Sequence, residues 1–171
     1  EIIDGAYYHY THGLQKHEGN CQRIAHGHRS RIHILVDGER DQLLEAQWAK
    51  RFEDIYIGTE DHVVSGNDQR VDFAYQAPQG AFSLSLPSSV VYMIDTESTV
   101  ELIANHLAQT ISASLPGKQI EVRAFEGIGK GSIATSTLYT ITSQKYVKKL
   151  RIIGRSLDFL LCSRSSGPGQ S

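Results

Sequence analysis

The stretch Ala25-His26-Gly27-His28-Arg29-Ser30-Arg31-Ile32-His33-Ile34-Leu35-Val36-Asp37-Gly38 decides how the rest of the chain is read. Its β-branched content and the closing Asp37-Gly38 turn predict a long strand from Ala25 to Val36. The period then changes. From Asp41 to Ile55, the residues Leu44, Trp48, Phe52 and Ile55 form one apolar stripe, which predicts a helix that stops near Gly58. Upstream, Ile2–Thr11 is rich in β-formers, three of them tyrosines, and reads as a first strand. Gly13 to Asn20 is polar and reads as a loop.

Downstream, Gly66 to Pro87 carries turn residues at Ala77-Pro78-Gln79-Gly80 between short alternating segments, the pattern of an extra hairpin. Ser98 to Ser112 predicts a second helix with Val100, Ile103, Leu107 and Ile111 on one face. Ile120–Glu126 and Ser132–Thr142 read as strands around the turn Gly127-Ile128-Gly129-Lys130-Gly131. Leu150–Ile153 reads as a short further strand. The order β-β-α-(insertion)-α-β-β predicts an α+β domain, with helices on one face of an antiparallel sheet. One domain is expected over residues 1–164, with an insertion at about 65–97 and a flexible tail at 165–171.

Composition narrows the function. Of 171 residues, 40% are hydrophobic and 21% charged, a balance that builds a core and argues against disorder. The net charge of −2 leaves no basic footprint, so nucleic acid is not an expected partner. No apolar run approaches the ~20 residues a bilayer requires, and no signal peptide is visible. Cys21 and Cys162 sit in unlike settings, so a reducing, cytoplasmic location is expected rather than a disulfide framework. Five of the eight histidines fall between His9 and His28.

That cluster leads to the chemistry. His26 and His28 are two apart on a predicted strand, so both imidazoles point to one face and can reach one ion. Zinc takes such ligands, and three protein ligands leave a fourth position open. By itself His-x-His reads equally well as a pair of surface histidines. A third ligand must come from the preceding strand end or loop, where both His12 and His17 are available. Cys21, in polar Gly19-Asn20-Cys21-Gln22, would become a usable base or nucleophile beside a cation. Asp61-His62 follows the first helix; adjacent residues on an extended chain point apart, so spacing alone favours a structural role over a dyad. Ser98-Thr99-Val100-Glu101 fits a capping box with Ser98 as the cap, which suffices to explain Glu101. Glu126 closes the alternation Val122, Ala124, Glu126. A carboxylate there can accept two parallel N–H bonds from a guanidine-like edge, or be a solvated strand-end acid. The glycines at 127, 129 and 131 lack the helix that a phosphate loop requires, so they read as a hairpin turn.

Taken in order, these motifs resemble the 6-pyruvoyl-tetrahydropterin synthase / 6-carboxytetrahydropterin synthase family. Tyr10-Thr11-His12-Gly13-Leu14 is similar to the strand end that supplies the family's first zinc histidine. Cys21 with His26-Gly27-His28 resembles its catalytic cysteine and paired zinc ligands. Asp61-His62 resembles its Asp-His pair, Thr99-Val100-Glu101 the Thr-x-Glu opening its second helix, and Val122–Glu126 the strand ending in its pterin-anchoring glutamate.

The resemblance implies a T-fold (tunnelling fold), whose sheets join into an oligomeric barrel, commonly a hexamer made as a dimer of trimers. It implies Zn2+ on His12, His26 and His28, and a catalytic Cys21, Asp61 and His62 with the Asp-His pair supplied by a neighbouring subunit. Substrate contacts fall to Glu126, Thr99 and Glu101. The implied substrate is 7,8-dihydroneopterin triphosphate. The implied product is 6-carboxy-5,6,7,8-tetrahydropterin, on the route to 7-deazaguanines and queuosine, or else a 6-pyruvoyl-tetrahydropterin. A non-catalytic T-fold subunit that binds a pterin or purine, and a zinc hydrolase of unrelated fold, are the rival readings. The chain departs from the family pattern at Gly13, where arginine is frequent, at Arg29-Ser30, at Leu102, at Gly127 and in the length of 65–97. These changes leave the metal and base in place and bear on substrate choice.

Overall fold

The computed structural model describes residues 6–127 and 129–138. The strand expected at Leu150–Ile153, the tail at 165–171 and Cys162 lie outside them. The chain begins with β1 (Ala6–His12), followed after a loop by β2 (His26–Val36). The Asp37-Gly38 turn has both residues at positive φ (53° and 88°). This is the backbone twist that two-residue hairpins favour and that Asp-Gly tolerates. It sends the two residues of β3 (Glu39–Arg40) back along β2. The Asp37 carboxylate accepts from Lys118 Nζ at 2.6 Å and from the Gln119 amide at 2.9 Å, tying this turn to the later strands.

Helix α1 (Gln42–Phe52) starts at Asp41, whose side chain accepts from the Leu44 amide at 2.9 Å. It is shorter than expected. Asp54 takes a left-handed conformation (φ 56°) and gives its N–H to the His9 carbonyl at 2.7 Å. The chain then continues as β4 (Ile55–Thr59), parallel to β1. Ile55 and Gly58 are therefore strand residues and not a helical stripe and stop. A short apolar run buried on both sides carries no period that separates strand from helix. Gly58 is required by close packing: a Cβ there would sit 2.8 Å from the Phe73 ring and 2.9 Å from Met93 Sδ.

A 3-10 turn at Glu60–His62 leads into β5 (Val63–Gly66), β6 (Arg70–Ala77) and β7 (Gly80–Pro87), which form a separate antiparallel three-stranded sheet. β8 (Val91–Ile94) returns to the main sheet, parallel to β4. Helix α2 (Val100–Ser114) is followed by β9 (Gln119–Glu126) and β10 (Gly131–Thr137). The main sheet runs β10-β9-β2-β1-β4-β8. Its first four strands are antiparallel, as expected, and the two parallel strands make the whole sheet mixed.

Register fixes which side chains share a face. Tyr8 and Tyr10 on β1, Ile32 and Ile34 on β2, and Val122 and Ala124 on β9 point inward together. Against them pack Trp48 and Phe52 of α1 and Ile103, Leu107 and Ile111 of α2. Each fully buried Ile, Leu, Val or Phe among them contributes roughly 1.5–3 kcal/mol by leaving water. A second, smaller core joins Ile24, Tyr56, Phe73, Tyr75 and Ala77 beneath the three-stranded sheet.

Candidate active site

The helix-facing alternation continues past the apolar residues to one end of the sheet, and there it becomes polar. On β1 it passes from Tyr10 to His12, on β2 from Ser30 back to His28 and His26, and on β9 from Ala124 to Glu126. In the ladders, Tyr10 pairs with His28, His12 with His26, and Ser30 with Glu126. Three neighbouring strands thus deliver their imidazoles and carboxylate to one corner. The loop between β1 and β2 adds Cys21, which lies on a 3-10 turn at Asn20–Gln22 and is a free thiol.

Among the described residues, ligand atoms of His12, Cys21, His28 and Glu126 all lie within 4.8 Å of one another. His28 Nε2 is 3.0 Å from Glu126 Oε1 and 3.6 Å from Cys21 Sγ. Glu126 Oε2 accepts from Lys130 Nζ at 2.9 Å. The His26 ring lies alongside, 4.8 Å from the His28 ring and 6.4 Å from the His12 ring between centroids, while its nitrogens stand outside the four-residue group.

His12 carries the most informative contacts. It is 1% exposed. Its Nδ1 lies 2.8 Å from the Ser98 carbonyl oxygen, which can only accept, so the ring proton sits on Nδ1. Nε2 then carries a lone pair, and it is fully buried with no hydrogen-bond partner. A buried imidazole held by a carbonyl on one side, with an unpartnered nitrogen on the other facing a thiol, a second imidazole and a carboxylate, fits a metal ligand with its orienting partner. The Ser98 hydroxyl is also within 3.0 Å of Nδ1.

This engagement of Ser98 shifts the helix start. Thr99, and not Ser98, is the N-cap of α2, accepting from the Leu102 amide at 3.4 Å. Thr99 therefore has a structural task, and Glu101 is an exposed acid in the first turn.

Electrostatics follow from depth. Burial, reinforced by the charge of His28, lowers the His12 pKa to about 4, so it is neutral at physiological pH. Burial also lowers His28, against the pull of Glu126. Burial and the facing Glu126 carboxylate raise the Cys21 thiol, with Lys130 opposing. Burial works against ionisation of Glu126, but Lys130 and His28 overcome it and hold the carboxyl below its ordinary range.

Asp61 and His62 do not join this group. His62 is buried, its ring 4.6 Å from that of Tyr75, and Asp61 is exposed. Burial lowers the His62 pKa, with Glu97 and then Asp61 opposing. Glu97 has a buried oxygen without a hydrogen-bond partner. Sequence reasoning passed over Glu97, Lys130 and the orienting role of Ser98, because no spacing rule links them to the histidines. A shallow cleft of about 430 Å³, lined by His9, Thr11, Gly27, Arg29 and Asp54 among others, shares only His28 with the four-residue group. No helix among the described residues is long and apolar enough to cross a membrane.

The sequence model of the 6-pyruvoyl tetrahydropterin synthase family matches residues 1–136. The chain belongs to this family. Its fold is that of the family's solved T-fold members. A catalytic-residue variant of 6-pyruvoyltetrahydropterin synthase from Plasmodium vivax superposes with a TM-score of 0.57 at 14% identity, covering 77% of this chain and 92% of that one. The P. vivax enzyme in a further structure gives 0.56 at 13% identity, over 78% and 92%. The synthase from Plasmodium falciparum gives 0.51 at 14%, over 77% and 92%. No curated protein matches the chain. Membership makes the chain a pterin synthase-type lyase by family, and the His–Cys–His–Glu corner is the place in its fold where a metal could be held.

Proposed function

We propose that the protein is a zinc-dependent lyase that converts 7,8-dihydroneopterin triphosphate to 6-carboxy-5,6,7,8-tetrahydropterin. The observation that carries the reading is the orphaned, buried Nε2 of His12 facing Cys21, His28 and Glu126. His12 and His28 would hold the ion, with His26, whose ring lies 4.8 Å from that of His28, as the third ligand. Such a three-histidine set leaves Cys21 and an open position for chemistry, whereas ligation by Cys21 and Glu126 together would close the site. A zinc ion so held would polarise the substrate's side-chain oxygens and favour the thiolate of Cys21.

The remaining work falls to the chain. With His28 among the ligands, Glu126 would be free of its 3.0 Å contact with that ring and could accept N–H bonds from the 2-amino and ring N–H edge of the pterin, while Lys130 keeps the carboxylate ionised. Cys21 would take or return the proton on the substrate side chain. His62, with Asp61, would serve as the partner acid or base from a neighbouring subunit of a homo-oligomer. The separation of His62 from the corner within one chain agrees with that arrangement. Thr99 and Glu101, at the opening of α2, would border the substrate.

The description of the matching family supports a second product, 6-pyruvoyl-tetrahydropterin. Incubation with 7,8-dihydroneopterin triphosphate separates the two. Acetaldehyde with a 6-carboxy pterin is the expected outcome, and a 6-pyruvoyl product establishes the second reading. If the protein binds pterin without turnover, both lyase readings fail and a binding subunit remains.

A further inference from the structure

The loop from Gly13 to Ala25 has no regular structure beyond one 3-10 turn, yet it must present Cys21 at a fixed place. Its fastenings come from elsewhere. The Tyr75 hydroxyl donates to the Gln22 carbonyl at 2.8 Å. The Gln79 amide donates to Gln22 Oε1 at 3.1 Å, and Gln79 Nε2 donates to the Gly19 carbonyl at 2.7 Å. Gln15 Nε2 donates to the Gln76 carbonyl at 3.0 Å, and Gln22 Nε2 to the Gln15 carbonyl at 3.2 Å. Tyr75, Gln76 and Gln79 all belong to β6 and the turn that joins it to β7. These bonds bracket Cys21 on both sides, and Gln22, the residue after the thiol, is 2% exposed.

Tyr75 also explains Gly13. A Cβ at position 13 would lie 2.4 Å from the Tyr75 hydroxyl and 2.7 Å from the Ile24 Cα, so a side chain there displaces the hydroxyl or the loop. The glycine that stands where arginine is frequent in the family, and the hairpin in the long 65–97 segment, are therefore parts of one arrangement. Through its ring, Tyr75 further contacts His62.

We infer that the β6–β7 hairpin is a brace for the thiol loop, with Tyr75 and Gln22 as positioning residues that hold Cys21 beside His28. The inference rests on the proposed role of Cys21 as the group that moves the proton. A hydrogen bond from a rigid sheet fixes the loop, and small misplacement of a reacting group costs rate without weakening substrate binding.

The test uses the full-length, zinc-loaded protein and two readouts. One is the rate of Cys21 alkylation by iodoacetamide, followed at the Cys21 peptide by mass spectrometry; the other is steady-state turnover of 7,8-dihydroneopterin triphosphate. Tyr75→Phe keeps the ring and deletes one hydroxyl. It is expected to lower kcat about 10-fold with KM within about twofold, and to change Cys21 alkylation at least about threefold. Leu86→Ala, which loosens the same small core at the other end of the hairpin, where Leu86 pairs with Val71, is expected to leave both readouts as in the wild type. If Tyr75→Phe fails to fold, the exposed Gln79→Ala, which removes the bond to Gly19, replaces it with the same expected direction. Wild-type alkylation and kcat in the hairpin variant, or an equal change in Leu86→Ala, overturns the brace. Full turnover in Cys21→Ala overturns the role of the thiol instead, and the alkylation readout still decides whether the hairpin holds the loop.

Discussion

His12 and His62 are both buried histidines whose pKa burial has lowered, and both stand beside carboxylate-bearing residues; their surroundings nevertheless prepare them for different work. His12 is pinned by a backbone carbonyl at Nδ1, and its other nitrogen is left without a partner among a thiol, an imidazole and a carboxylate. His62 lies against the Tyr75 ring, with the nearby acids Glu97 and Asp61 opposing the effect of burial. The first arrangement fixes a tautomer and aims a lone pair, which suits a metal. The second leaves a proton site under the influence of acids, which suits proton transfer. Burial alone does not distinguish a ligand from an acid–base group. For His12, the carbonyl on Nδ1 and the unpartnered Nε2 supply the distinction.

The largest expected effect breaks the comparison at its first member. His12→Gln should lose essentially all bound zinc and turnover, read by metal analysis and product formation. His62→Ala should keep full zinc content while turnover falls about 100-fold or more, the usual range for loss of a general acid or base. If both variants lose zinc, or neither does, the two histidines do not differ as described.

A pH experiment on chelator-treated protein sharpens the contrast. A histidine whose folded pKa lies below its unfolded value takes up its proton in the unfolded chain first. Stability therefore falls as pH drops from about 6.5 toward the folded value. For His12, held at about 4 in the fold, the loss is about 3 kcal/mol by pH 4. His62 contributes in the same direction. Urea unfolding between pH 7 and 4 measures the sum over all the histidines that burial lowers, His28 and His106 included, and His62→Gln should reduce the slope while leaving the His12 part. A pH-independent midpoint would contradict neutral burial of either ring.

The smallest effect concerns the orienting shell. Ser98→Ala removes the hydroxyl near His12 Nδ1 but leaves the carbonyl in place. Zinc affinity should fall about 10-fold or less, at the low end for lost outer-shell contacts. A complete loss would transfer the orienting role from the carbonyl to the hydroxyl.

Part of the fold and of the corner was legible in the residues. Spacing put His26 and His28 on one face of a strand and Glu126 at the end of another, the choice of His12 over His17 came from the family resemblance, and the Asp37-Gly38 turn announced its hairpin. The helix stripe at Leu44, Trp48 and Phe52 was also correct; its overrun to Ile55 arose because a buried strand has no period of its own. The one-residue error at the α2 cap has a tertiary cause, since Ser98 is engaged by His12, 86 positions away. The same distance hid Ser98 as an orienting group and left Glu97 unnoticed. Motif order put Cys21 beside the histidine pair, but not the hairpin residues bonded to its loop, because hydrogen bonds from Tyr75 and Gln79 to backbone atoms leave no residue signature.

The most direct test of the metal centre is zinc per chain in purified wild-type protein and in His28→Ala, measured by plasma mass spectrometry. About one zinc ion per chain is expected in the wild type and almost none in the variant. A wild-type protein that binds no zinc after reconstitution, or a variant that retains it fully, would contradict the assignment of the His12–His28 corner as the metal site.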